Sequence, residues 1–210
     1  MNKYASILLL LPVICAAFSC MGYHYAFHVG VPVSCSLIVG LFHDRGIGRT
    51  LWFIVLSFLV SIGGDWMLRT RGVDGMRFIY GIGLYFISHV CYLIFCLKNG
   101  KINRLFLSLL LVVYLPFFVW CLMPAIPDRL LLVSVFFYLI ISCVSLAAAF
   151  GLRLSNVSRY LFTVGIGCLV FSDTLIAFKE FLHIGSHYYL MFPAFYASQI
   201  LITAALIRAK

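Results

Sequence analysis

Two acids stand inside stretches that are otherwise apolar. Asp65 falls in the run Ser61-Ile-Gly-Gly-Asp65-Trp-Met-Leu68, and Asp173 in Leu169-Val-Phe-Ser-Asp173-Thr-Leu-Ile176. The remaining acids, Asp44, Asp74, Asp128 and Glu180, belong to loops or to the ends of apolar segments. An Asp at the centre of a membrane helix costs roughly 2.5–3.5 kcal/mol on insertion scales, so an ionisable group there marks a functional position by default. Asp65 precedes the expected segment end at Leu68 by three residues, and Asp173 precedes Lys179 by six. At 1.5 Å per residue those depths are about 5 Å and about 9 Å. Two carboxylates at similar depth in separate helices can share one cavity, and such a pair can divide acid and base work between them. The structural alternative is that each caps or hydrogen-bonds a neighbouring helix end.

Polar residues recur at helical spacing near these acids. Tyr85, His89 and Tyr92 lie at i, i+4 and i+7, and Tyr196 and Gln199 at i and i+3. Each set shares a helix face, as residues lining a cavity must. Together with Ser61 and Ser172 they form the expected substrate-contacting set, and interhelical hydrogen bonding is the competing role. Two histidine pairs, His24 with His28 and His183 with His187, have the i, i+4 spacing that suits a metal on a helix face. Neither has a matching third ligand, so no metal is expected. Gly81-Ile-Gly83 and Gly165-Ile-Gly167 read as close-packing surfaces rather than ligand loops.

The elements that must position these residues are membrane helices. Of the 210 residues, 64% are hydrophobic and 10% charged, with a mean hydropathy of +1.12. A soluble domain is nearer half apolar and a quarter charged, so lipid is the solvent here. A span takes about 20 apolar residues, and eight fit: 4–22, 25–42, 51–68, 77–97, 104–122, 130–150, 157–178 and 188–207. The first is read as a span rather than a cleaved signal, because Ala17-Phe18-Ser19-Cys20 poorly matches a cleavage site. The second is the weakest, being short and holding Gly30 and Pro32. This predicts an all-α polytopic protein forming one transmembrane domain over 1–210.

Of the 15 Lys and Arg, ten fall on the side with the termini. The other five are Arg69, Arg71, Arg77, Arg129 and Lys179. The bias puts both termini in the cytoplasm, and a bacterial inner membrane is the expected location. The net charge of +9 thus serves topology and anionic lipid, not nucleic acid. The eight Cys form no CxxC pair and are expected to be buried, reduced thiols. The two acid-bearing blocks resemble each other, as do Tyr85-Phe-Ile-Ser-His89 and Phe195-Tyr-Ala-Ser-Gln199. That suggests two four-helix halves related by an axis along the membrane normal.

Ser61 to Leu68, Gly81 to Tyr92, Ser172 to Ala177 and Tyr196 to Ile202 resemble, in order, the four signature blocks of the YhhN-like lysoplasmalogenase family. The resemblance covers most of the chain from about residue 50 onward. One departure is that span two of the family opens with a Lys-Pro pair, whereas Val31 precedes Pro32 here and the nearest candidate cation is His28. The resemblance implies an eight-helix hydrolase of the alkenyl ether bond of a lysophospholipid, yielding a fatty aldehyde and glycerophosphoethanolamine or glycerophosphocholine. Protonation of the vinyl β-carbon gives an oxocarbenium ion, which water captures as a hemiacetal that then collapses. Asp65 and Asp173 would be the acid and base, in an order left open. His89, Tyr85, Tyr196 and Gln199 would orient water and substrate. No cofactor is required. Arg69, Arg71 and Arg77 are candidates for the phosphate. The competing classes are a metal-dependent lipid hydrolase using His183, His187 and His89, a proton-coupled transporter, and an inactive scaffold.

Overall fold

The computed structural model describes residues 7–23, 25–42, 48–70, 72 and 75–209. Those residues are helical throughout, apart from short turns. Eight helices carry the fold: α1 (Leu10–Cys20), α2 (Tyr25–Phe42), α3 (Leu51–Thr70), α4 (Gly75–Asn99), α5 (Arg104–Phe117), α6 (Arg129–Phe150), α7 (Asn156–Leu182) and α8 (Met191–Ile207). The helix α5 runs on through a π turn at Phe118–Leu122 to Ala125, just after Pro116. Proline supplies no N–H to the helix ladder, and a wider turn absorbs the disruption. The helices α2 to α8, with their short extensions, are long and apolar enough to cross a bilayer. The first is only 11 residues within the described part, and the start of the expected span lies outside it. The protein is an all-α polytopic membrane protein.

The weak second span is a continuous helix with Pro32 inside it. Its other suspect residue has a packing reason: a Cβ on Gly30 would stand 2.9 Å from Cys15 Sγ, so glycine lets α1 approach. Two segments run longer than hydropathy suggests. The helix α3 continues to Thr70 and α7 to Leu182, which carries Lys179 and Glu180 into the helix. Asp128, a loop acid by sequence, caps α6 by accepting from the Leu130 and Leu131 amides at 2.7 and 3.2 Å.

Helix packing follows a repeated scheme. The most extensive contacts join α3 to α4 and α7 to α8. The helix α1 packs on α2 as α5 does on α6, and α2 on α3 as α6 does on α7. The halves interlock through their last helices: α4 reaches across to α6, and α8 to α2. At one end of the bundle the loops are tied by a bridge between Gly100 and Leu152. The opposite end holds Asp65 and Asp173. All eight cysteines are free thiols.

The glycine pairs serve packing only in part. A Cβ on Gly165 would lie 2.8 Å from Ile202 Cγ1 and 3.1 Å from the Ser198 carbonyl, and one on Gly81 would lie 2.9 Å from Leu68. Gly83 has open space, and a Cβ on Gly167 would meet only Leu146 at 4.0 Å. Gly165→Ala should therefore cost about 1–3 kcal/mol, seen as a lower melting temperature in detergent, while Gly83→Ala should melt as wild type. Equal melting of the two variants would contradict this packing.

Candidate functional site

Each partly buried aspartate is held by one histidine and one tyrosine. Asp65, on α3, meets His28 of α2 through Oδ2 at 2.8 Å and accepts a hydrogen bond from the Tyr85 hydroxyl of α4 at Oδ1. Asp173, on α7, lies 3.4 Å from His89 Nε2 of α4 and accepts from the Tyr138 hydroxyl of α6 at 2.7 Å. The carboxylate side chains are 11% and 13% exposed. The two histidines are each anchored at their second nitrogen. His28 Nδ1 is 2.5 Å from the Tyr196 hydroxyl, and His89 Nδ1 is 2.8 Å from Ser145 Oγ.

The interlocked halves explain this arrangement. The helix α4 serves both acids, sending Tyr85 to Asp65 in its own half and His89 to Asp173 in the other. The helix α8 sends Tyr196 across to His28. Tyr196 continues to Ser19 of α1 at 2.6 Å. The chain Ser19–Tyr196–His28–Asp65 is self-consistent in either direction. With Nε2–H donating to Asp65, Nδ1 accepts from Tyr196, which accepts from Ser19. With a protonated Asp65 donating to Nε2, every bond reverses.

The surroundings of the two acids differ. Asp65 lines a cavity of about 270 Å³ with Tyr25, His28, Arg69, Tyr85, Lys179 and Glu180 among its polar walls. Asp173 lines two smaller, mainly apolar spaces of about 60 Å³ each. One of these shares Leu68, Phe78, Tyr85 and Ile176 with the Asp65 cavity. The expected single cavity is thus two adjoining spaces, with Tyr85 in the wall between them. The physical reason is that α4 passes between α3 and α6, so its aromatic face screens one acid from the other.

The other expected residues separate into lining and bracing roles. Tyr92 sits in the core, edge-on to Phe58 and His89 with centroids 6.4 and 6.1 Å away. Gln199 donates to Ser61 Oγ at 3.3 Å, and Ser61 in turn donates to the Phe58 carbonyl, which ties α8 to α3. Ser172 donates to the Met191 carbonyl at 3.0 Å and ties α7 to the start of α8. Of the phosphate candidates, Arg69 lines the Asp65 cavity, Arg77 donates to the Thr70 carbonyl at 2.9 Å, and Arg71 lies outside the described residues. His24 also lies outside them, so the His24–His28 pair is untested, and His28 itself faces Asp65. His183 caps α7 in a left-handed conformation and lines a separate space near Ile126. It does not join His89.

The YhhN family pattern matches residues 5–206. The chain belongs to the YhhN family. This is the lysoplasmalogenase family, and the match extends the resemblance of the four blocks to nearly the whole chain. No curated protein and no solved structure matches it. The four blocks singled out in the sequence supply both aspartates, Tyr85, His89 and Tyr196, while His28, Tyr138 and Ser145 come from helices outside them.

Tyr138 and Ser145 carry a readable signal. Tyr138, Ser142 and Ser145 lie at i, i+4 and i+7, the same spacing as Tyr85, His89 and Tyr92. His89→Ala would strip the ring from between Ser145 and Asp173, leaving a vacancy and a carboxyl group short of a partner. A loss of about 2–4 kcal/mol is expected, measured as a fall in melting temperature. A variant that melts as wild type would show that this bond does not hold the fold.

Proposed function

We propose that this protein hydrolyses the vinyl ether bond of a lysoplasmalogen, releasing a fatty aldehyde and a glycerophospho-alcohol. The observation that carries the reading is the pair of framed carboxylates on either side of Tyr85, one facing a polar cavity large enough for a glycerophosphate and the other a water-sized space. Family membership supports the same chemistry.

Asp65, in its protonated form, faces the substrate and gives its proton to the β-carbon of the vinyl ether. The alkene pair forms the new C–H bond, and the ether oxygen shares its lone pair to make the oxocarbenium ion. The now ionised Asp65 stabilises that cation. A water held against Asp173 in the adjoining space of about 60 Å³, ample for one molecule, adds to the cationic carbon and passes its proton to Asp173. The resulting hemiacetal transfers its hydroxyl proton to the ether oxygen as the C–O bond breaks. Aldehyde and alcohol leave, and one water has been consumed. Tyr85, bonded to Asp65 and lining the space beside Asp173, carries the proton back to Asp65.

Aldehyde release from a defined lysoplasmalogen by the detergent-purified protein tests this. Wild type should produce aldehyde, and Asp65→Asn and Asp173→Asn should each lower turnover by about 100-fold or more, the usual range for lost acid or base catalysis. Near wild-type turnover in both folded variants would overturn the assignment.

A further inference from the structure

We propose that Ser19, Tyr196 and His28 form a proton relay that loads Asp65 from the rim of the bundle, with His28 changing tautomer as the acid gains its proton. The relay deepens the preceding reading, in which Asp65 starts in its protonated form.

Four helices each give one group to the chain: Ser19 from α1, Tyr196 from α8, His28 from α2 and Asp65 from α3. Its steps of 2.6, 2.5 and 2.8 Å are all hydrogen-bond distances. Aromatic packing keeps both ring nitrogens of His28 on their partners. The ring stacks on Tyr25 and Phe195, with centroids 5.3 and 6.0 Å away, and meets Phe192 edge-on at 5.5 Å. Tyr196 stacks on Phe192 at 6.1 Å. Both His28 and Tyr196 are buried.

The protons balance along this chain. With Asp65 ionised, His28 Nε2–H donates to it, Tyr196 donates to Nδ1, and Ser19 donates to Tyr196. When Ser19 Oγ takes a proton from water, its own hydroxyl proton passes to Tyr196. The Tyr196 proton passes to Nδ1, and the Nε2 proton passes to Asp65 Oδ2. Asp65 gains one proton, and every other group keeps its number. Neither end state contains an imidazolium or a phenolate. Histidine suits the middle position because its two nitrogens exchange donor and acceptor roles.

The outer end lies where water can reach it. Ser19 is half-buried in the last turn of α1, beside the exposed Cys20 and Met21. Neither Ser19 nor Tyr196 lines the Asp65 cavity, so a substrate filling that cavity leaves the route open. The other histidine has no such route. Ser145 donates to the Ser142 carbonyl at 2.9 Å, so its oxygen accepts from His89 Nδ1 and the chain ends on backbone. A carbonyl has no proton to pass on. The open chain thus serves the acid assigned to proton donation. During turnover Tyr85 returns the proton, and the relay sets the starting state.

The groups facing His28 are Asp65 of α3, Tyr196 of α8 and Tyr25 of its own helix. Arg69 of α3, Tyr85 of α4, Lys179 and Glu180 of α7, and Tyr188 complete the polar wall around them.

Nitrogen NMR of full-length protein with isotope-labelled histidine rings tests the relay without any substrate. The His28 signals are assigned from their loss in His28→Gln. As the pH is lowered across the range in which the protein stays folded, wild-type His28 should remain neutral and exchange the Nε2–H form for the Nδ1–H form. Asp65→Asn should lose that exchange. Ser19→Val and Ser19→Thr have the same shape and differ only in the hydroxyl. Without an acceptor at position 19, Tyr196 must donate to Nδ1, so the valine variant should hold the Nε2–H form at every pH. The threonine variant should exchange as wild type does. A wild-type His28 that keeps one tautomer or becomes doubly protonated would overturn the relay, and so would an unchanged exchange in Ser19→Val. The expected exchange in a protein that releases no aldehyde would leave the relay standing and remove the catalytic reading alone.

Discussion

A carboxylate inside a bilayer has no water to turn to, and the whole bundle is arranged around meeting that need twice. Each aspartate is largely enclosed in a medium where an unpaired charge is prohibitive, so each must find polar partners on other helices. A histidine nitrogen and a tyrosine hydroxyl meet each acid. Because Asp173 meets His89 of the first half as well as Tyr138 of its own, and His28 beside Asp65 meets Tyr196 of the second half, the halves cannot be separate bundles. The crossings of α4 to α6 and α8 to α2 follow from this need as much as from apolar packing.

The repetition is imperfect in a way that matters for chemistry. The first acid opens on a roomy polar cavity, and its histidine continues through Tyr196 to Ser19 near the end of α1. The second opens on small apolar spaces, and its histidine stops at Ser145 in the core. Two carboxylates of one type thereby acquire different surroundings, the general condition for separate acid and base roles. Tyr85 belongs to the first frame by hydrogen bond and to the second by proximity.

The fold class is legible because lipid solvation leaves a strong imprint on composition, and the boundaries of α2 through α8 fall within a few residues of those that hydropathy suggests. The extra turns of α3 and α7 are not legible, since Arg69, Thr70, Lys179 and Glu180 look like loop residues to a hydropathy reading although their backbones stay helical. The buried acids, Tyr85 and His89 stand out as polar groups in apolar runs. Tyr138 and Ser145 share that mark and the same i, i+7 spacing, and His28 has the spacing of a metal pair and the place of a substitute cation. What spacing cannot show is which helix a polar face meets. Gln199, Ser61 and Ser172 have the right types and positions, yet they brace one helix against another, and only the packing of α7 and α3 on α8 decides that.

Protonation of a vinyl ether carbon by a carboxyl group in this site is tested most directly by the isotopic content of the product. Hydrolysis of a lysoplasmalogen by wild type in heavy water, with the aldehyde trapped at once and analysed by mass spectrometry, should give aldehyde carrying a single deuterium on the carbon next to the carbonyl. An unlabelled aldehyde control added to the same mixture should remain unlabelled. Enzymatic aldehyde that carries no deuterium would contradict carbon protonation, and with it the role of Asp65 as the proton donor.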